Sequence, residues 1–233
     1  MKALWITSTP IFHLFFPHNC VGCGSDILSQ ESFLCLTCIN DLPHTHFALH
    51  ANNPVEKIFW GRIPIVNAMS ELYFTKASIV QNVIHEFKYK GNKKVGLYLG
   101  NLMGRSILNC DRFKNIDYLI PLPLFEKKEK SRGYNQAEIL CCGISEITNI
   151  PVLPKIVIRK KSTETQTKKA RSERWLNVNT SFSVLDRNLL TGKHILLVDD
   201  VVTTGATLEA CASEILSIPN THISIATLAM ANH

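Results

Sequence analysis

The run that most constrains this 233-residue chain is Ile195-Leu196-Leu197-Val198-Asp199-Asp200-Val201-Val202-Thr203-Thr204-Gly205-Ala206-Thr207. Four consecutive apolar residues suit a strand buried on both faces, the condition of a parallel strand lying under helices. Two carboxylates follow where that strand must leave the core, and then a hydroxyl-rich turn leads into a helix. Parallel sheets bind ligands beyond the carboxyl ends of their strands. The backbone N–H groups of residues 203–207, at a helix N-terminus, form an anion cradle to which the threonine hydroxyls add donors. A monophosphate fits such a nest. Asp199 and Asp200 would repel it, so they should face a hydroxyl-bearing part of the ligand; vicinal ribose hydroxyls suit them, with or without Mg²⁺. The run is neither a P-loop nor a G-x-G-x-x-G fingerprint. A plain helix cap after an acidic strand end is the simpler alternative.

The rest of the chain supplies the setting. Residues 41–70 read as a transition punctuated by Pro43, Asn52, Asn53, Pro54 and Pro64, with a boundary near residue 55. Beyond it, Ser78 to Phe87 aligns Ile79, Val83, Ile84 and Phe87 on one helical face. Lys94 to Leu108 predicts a second helix, 117–123 a short buried strand, Tyr134 to Thr148 a third helix and Val152 to Arg159 a strand. His194 to Val198, Thr207 to Leu216 and His222 to Ala229 predict strand, helix and strand. Alternation with short links means an α/β fold, a mainly parallel sheet flanked by helices. No window offers about 18 uninterrupted apolar residues, so no transmembrane segment is expected. The apolar residues 1–17 lack a cleavage site and read as a short amphipathic helix, Ile11 to Phe16, rather than a signal peptide. A cytoplasmic location with reduced thiols is the expectation.

Eight cysteines would suggest a disulfide framework in a small secreted protein, but a chain of this length needs no such staples. Their spacing is more telling. Cys20, Cys23, Cys35 and Cys38 form two C-x2-C knuckles, which bring four thiolates around one tetrahedral ion and predict a structural Zn²⁺ with no open position for catalysis. A redox pair or unliganded thiols are the alternatives. Cys110, Cys141, Cys142 and Cys211 lie in apolar contexts as small buried hydrophobes, and His44, His46 and His50 read as solvent-facing loop residues.

Residues 198–207 resemble the phosphoribosyl-pyrophosphate (PRPP) loop of type I phosphoribosyltransferases. Further runs narrow the likeness: a Leu-Phe-Phe-Pro lead-in to the cysteine knuckles, Phe87-Lys88-Tyr89-Lys90-Gly91, Pro121-Leu122-Pro123-Leu124 and Arg132-Gly133-Tyr134-Asn135-Gln136. Together they resemble the ComF/GntX group, linked to natural competence and DNA uptake. The resemblance implies a type I phosphoribosyltransferase-like domain over residues 55–233 and a small zinc-ribbon-like module over 1–54. It implies that Asp199 and Asp200 hold the ribose hydroxyls, while the run Val201, Val202, Thr203, Thr204, Gly205, Ala206 and Thr207 carries the 5′-phosphate. Arg132 would contact pyrophosphate or the base side, with Lys88 and Pro123 as further PRPP contacts and Lys127, Lys128 and Lys130 adding charge.

The formal charge is +6, and residues 155–175 alone, with eight basic residues against two glutamates, equal it. In these transferases that stretch is a mobile loop over the active site. The rival readings are a nucleic-acid patch with Trp175 for base stacking, or a solvated loop. Two functions follow: Mg²⁺-dependent transfer of ribose 5-phosphate from PRPP to a nitrogen acceptor, or a non-catalytic competence accessory. The accessory would bind single-stranded DNA or helicase and recombination partners.

Overall fold

The computed structural model describes residues 19–26, 32–160 and 181–231. After the cysteine knuckles come α1 (Leu36–Asn40), α2 (Pro54–Phe59), β1 (Ala68–Phe74), α3 (Ile79–Tyr89), α4 (Lys93–Leu108), β2 (Tyr118–Pro121), α5 (Glu126–Arg132) and α6 (Gln136–Thr148). The second half holds β3 (Val157–Arg159), β4 (Phe182–Val184), α7 (Arg187–Leu190), β5 (His194–Val202), α8 (Ala206–Leu216) and β6 (His222–Ala231). The helix starts are written in local chemistry. Ser78, Asn92 and Asn135 each accept a backbone N–H of the first turn of α3, α4 and α6, which satisfies donors that the helix cannot pair internally.

The main sheet has the order β1-β6-β5-β2, with every pairing parallel. Val152 adds a single parallel bridge to Leu119, on the far side of β2. Connections running from β1 to β2 and from β2 to Val152 move in one direction across the sheet, and right-handed crossovers therefore put α4 and α6 on the same face. The step from β5 to β6 moves back, which puts α8 on the opposite face. The order in which the connections cross the sheet thus reverses between the parallel strands β2 and β5, so a crevice opens at their carboxyl ends.

Two close approaches hold this arrangement. A Cβ built on Gly100 would meet the Leu140 carbonyl oxygen at 2.5 Å and the Gly143 Cα at 2.9 Å. Only glycine lets α4 and α6 cross at backbone contact, which fixes α6 over β2 and β5. At the sheet edge, residues 43–45 zip against β1: Thr45 N–H donates to the Glu71 carbonyl at 3.0 Å and Tyr73 N–H to the Pro43 carbonyl at 2.9 Å.

Three expectations need correction. The predicted strand 152–159 is two pieces, because Pro154 ends the contact with β2 and only Val157–Arg159 pairs, antiparallel, with β4. β1 lies where a transition was expected; its residues Ala68 to Leu72 are buried, but Ser70 and Glu71 interrupt the apolar pattern. His44 is not a free loop side chain, since its Nδ1 lies 2.9 Å from Glu71 Oε1. The expected helix 11–16 and most of the basic stretch 155–175, including Trp175, lie outside the described residues.

Alanine usually strengthens a helix relative to glycine by about 1 kcal/mol. Gly100→Ala should do the reverse here and lower unfolding free energy by about 1–3 kcal/mol through overpacking. Urea titration followed by circular dichroism measures this, and a stabilised variant would contradict the close crossing.

Candidate functional site

β5 continues past its apolar core and carries Asp199 and Asp200 into the crevice beside the end of β2. The chain then turns at Thr203 and Thr204, and Gly205, at φ 72°, caps α8. A Cβ at Gly205 would meet Ile58 Cγ2 at 2.6 Å and the Phe59 ring at 2.9 Å. The turn is therefore seated on α2 as well as being strained for any other residue. Asp199 and residues 201–208, which include the first turn of α8, line a small open cleft of about 60 Å³.

The two carboxylates differ. Asp200 is buried, and Lys88 Nζ, from the last turn of α3, lies 2.8 Å from its Oδ2. Asp199 keeps a little surface in the cleft but is surrounded by protein, and its Oδ1 accepts the Asp200 N–H at 2.8 Å. Burial, then the charge of Asp200, pushes the Asp199 carboxyl up to about 8, against the opposing pull of Lys88 and Arg132. The pair is thus an acid cluster held within a ring of cations.

The Arg132-Gly133-Tyr134-Asn135-Gln136 run shows how those cations are placed. Gly133, at φ 80°, ends α5. The Tyr134 hydroxyl donates to the Phe87 carbonyl, which fixes the end of α3 one residue before Lys88. The Asn135 side chain caps α6 and donates to the Leu122 carbonyl at 3.0 Å, tying the helix to the loop after β2, where Pro123 is buried. Arg132 donates to Gln136 Oε1 at 2.8 Å. The motif is largely a positioning device, and Arg132 is its charged end.

The structure brings Asp199, Asp200, residues 201–207, Lys88 and Arg132 together. It does not bring in Lys90, which pairs with Glu86 at 2.9 Å, or Lys130, which pairs with Glu126 at 2.7 Å; Lys127 and Lys128 are exposed. Two residues that sequence reasoning did not single out belong here. Arg62 donates to the carbonyls of Ile58 and Thr204, each at 2.9 Å, and pairs with Glu209 on α8, so it clamps the turn from outside. Arg159, at the end of β3, stacks 3.6 Å from the Phe125 ring centroid, and its buried Nε has no hydrogen-bond partner among the described residues. Arg159 belonged to the basic stretch by composition, whereas nothing local to the sequence marks Arg62.

The other cluster is the cysteine module. The four Sγ atoms of Cys20, Cys23, Cys35 and Cys38 lie within 4.8 Å of one another, with Cys23 and Cys35 3.8 Å apart. A tetrahedral Zn²⁺ with Zn–S near 2.3 Å needs sulfur edges of about 3.8 Å, so the donor set is compatible with that ion. Backbone N–H groups of Cys35 and Cys38 donate to the sulfurs of Cys20 and Cys35, as suits thiolates. The module packs on α3, where Asn82 Nδ2 donates to the Gly22 carbonyl at 2.7 Å. Among the described residues no helix is long and apolar enough to cross a membrane.

Comparison with known proteins agrees with this geometry. The phosphoribosyl transferase domain model matches residues 140–233, which include β5, the turn and α8. Competence protein F of Haemophilus influenzae is 28% identical over 93% of this chain and 99% of its own length. DNA utilization protein YhgH of Shigella flexneri is 28% identical over 80% of this chain and 79% of its own. Among solved structures, the glutamine PRPP amidotransferase of B. subtilis is 16% identical over 61% of this chain and 30% of that one, with a TM-score of 0.43. The fold is that of a type I phosphoribosyltransferase, a parallel sheet flanked by helices, with the cysteine cluster as an added module.

The raised Asp199 carboxyl has a signed consequence. It keeps its proton up to about pH 8 when folded, whereas an unfolded aspartate loses it at pH ~3.9. In that window the folded state binds the extra proton, so this contribution to stability is present at low pH and is lost as pH rises through 8. Asp199→Asn should gain in Tm relative to the parent as pH is raised from 5 to 8.5, by roughly 2–4 °C per kcal/mol. Thermal scans at several pH values test this; a pH-independent difference would contradict the buried acid pair.

Proposed function

The chain belongs to the ComF family, and on that premise we propose that it binds PRPP and transfers ribose 5-phosphate to a nitrogen acceptor, releasing pyrophosphate. The observation that carries this reading is the join of an acid pair to an anion cradle at the sheet's switch point, with Lys88 and Arg132 beside it. Residues 203–207 take the 5′-phosphate on the N–H groups of α8. Asp199 and Asp200 accept the ribose 2′ and 3′ hydroxyls, and Asp200 exchanges part of its contact with Lys88 for them. The C1 substituent then points toward the loop after β2, where Arg132 meets departing pyrophosphate and Pro123 shapes the floor. Mg²⁺ bound with PRPP would offset the diphosphate charge, and the carboxylates of Asp199 and Asp200 are the residues here that would lie nearest to it.

No covalent nucleophile is required. The transition state gathers positive charge on the ribose ring and negative charge on the leaving group, so the shared negative charge of the acid pair on one side and fixed cations on the other favour it over the ground state. Position contributes as well: a clamped turn and a capped α6 hold the two charged sets at constant separation. The zinc assignment belongs to the same proposal. Residues 1–54 form the four-cysteine module and 55–233 the transferase domain in a cytoplasmic protein, with residues 43–45 sealing the seam along β1.

The names of the relatives favour a second reading, in which the fold serves DNA uptake without turnover. The partners would be single-stranded DNA or a competence helicase or recombination protein.

Isothermal titration with PRPP and Mg²⁺ should give binding that Asp200→Ala weakens about tenfold, the loss of one charge-assisted contact of about 1.4 kcal/mol; no heat with the parent protein would end the PRPP assignment. Pyrophosphate release across a panel of bases separates the readings, because binding without turnover selects the accessory role. Elemental analysis should find one zinc per chain, and Cys35→Ser should lose it and lower the melting temperature. A metal-free parent protein with unchanged melting would refute the zinc module.

A further inference from the structure

A cavity of about 280 Å³ lies at the edge of the sheet, between β1, the chain leading into α2 and the last turns of α4. It shares no lining residue with the cleft at residues 199–208. Its volume stands near the low end of the range of small-molecule sites, about 300–1,000 Å³. Met69 and Glu71 alternate along β1 and so reach it from one face of the sheet, while Leu102, Arg105 and Ser106 recur at helical spacing on one side of α4. His44, His46 and Phe47 form the third wall, and it is held firmly. Thr45 donates its N–H to the Glu71 carbonyl at 3.0 Å and its hydroxyl to the Ser70 carbonyl, and its Oγ1 accepts the Phe47 N–H at 3.1 Å. Arg112 also donates to the Phe47 carbonyl, at 3.3 Å. The cavity is therefore preformed.

Its charges are not balanced. Glu71 is buried, and its Oε1 is met by His44 Nδ1 at 2.9 Å. That hydrogen bond raises the imidazole's pKa, so the two groups answer each other. Arg105 is exposed and has no carboxylate partner among the described residues. His46, in left-handed backbone at φ 58°, turns its ring onto that of His44, with the centroids 5.9 Å apart. What remains for a ligand is a set of hydrogen-bond donors and one uncompensated cation, set against the apolar sides of Phe47, Met69 and Leu102. We propose that this cavity binds a small monocarboxylate with an apolar body, the carboxylate on Arg105 and Ser106 and the body against Phe47, Met69 and Leu102. A guanidinium fork matches a carboxylate in two parallel hydrogen bonds. A free phosphate dianion fits less well, because the apolar wall offers it no donor and its desolvation goes uncompensated. An alkylammonium is repelled by Arg105 and finds Glu71 already paired. The site is independent of the PRPP reading.

Sodium benzoate is the probe, with benzyl alcohol as its uncharged counterpart and inorganic phosphate as the bare anion. Isothermal titration of the full chain should give saturable benzoate binding, about tenfold tighter than that of either control. Arg105→Gln should weaken benzoate about tenfold, the loss of one charge-assisted contact, and leave benzyl alcohol unchanged. Leu102→Phe, which fills the cavity, should weaken both. The melting temperature without ligand should be the same in Arg105→Gln as in the parent, since the side chain is exposed, and PRPP with Mg²⁺ should not displace benzoate. No saturable benzoate heat, or equal affinity in the parent and Arg105→Gln, overturns the proposal. Phosphate binding as tightly as benzoate also overturns it, since the cavity then holds an adventitious ion only. Displacement of benzoate by PRPP puts the anion in the cleft at residues 199–208 and overturns it as well.

Discussion

Two adjacent carboxylates at the end of a buried strand are an electrostatic liability, and much of the molecule is arranged around holding them. Both sit on the paired part of β5, where Asp199 still lies in register with Thr227, so the backbone that carries them is fixed by the sheet. Their charge must be met in place. Lys88 does so directly at 2.8 Å, and Arg132 at longer range. Because desolvation dominates, Asp199 still sits far above the ordinary carboxylate range. An acid pair of this kind costs stability, and a ligand that offers hydroxyl donors relieves the cost. Ground-state strain of this sort is what a binding site can convert into affinity.

Holding the cations is the task of elements that carry no charge themselves. Tyr134 fixes the end of α3 through the Phe87 carbonyl, and Asn135 fixes the start of α6 through the Leu122 carbonyl. Gly100 and Gly143 then let α6 lie against α4 at backbone distance. Removing any one of these lets Lys88 or Arg132 drift relative to Asp200, and Coulomb energy at short range falls steeply with distance. Arg62 performs the corresponding task for the turn at residues 203–205, holding the Thr204 carbonyl against α2 and α8.

The site was legible where local pattern and chemistry coincide. An apolar strand, two carboxylates and a glycine-containing turn specify their own backbone, so residues 195–207 could be read directly, and two C-x2-C knuckles specify their own cluster. Lys88 was harder, because a lysine near a helix C-terminus is favourable for reasons unrelated to any site; only the approach of the end of α3 to Asp200 gives it a partner. Arg62 carried no signal at all, as its contacts with Thr204 and Glu209 span more than 140 residues. β1 was missed because Ser70 and Glu71 are buried in it, their polar groups met by residues 44 and 45 and by other parts of the chain. The strand expected at 152–159 was half right: β propensity extends across it, but Pro154 removes a ladder donor.

α3 joins the molecule's two chemical clusters. Its first turns receive the cysteine module through Asn82 and the Gly22 carbonyl, and its last turn delivers Lys88 to Asp200. A helix of eleven residues is stiff over this span, so the position of the knuckle and the position of the lysine are not independent. The cysteine module thus does more than add bulk at one edge of the sheet. By seating α3 it sets the geometry of the acid pair's counter-charge. A metal that fixed the four sulfurs would therefore stiffen a path from the knuckle to Asp200 that runs through the Asn82–Gly22 hydrogen bond, the helix itself and the Lys88–Asp200 ion pair.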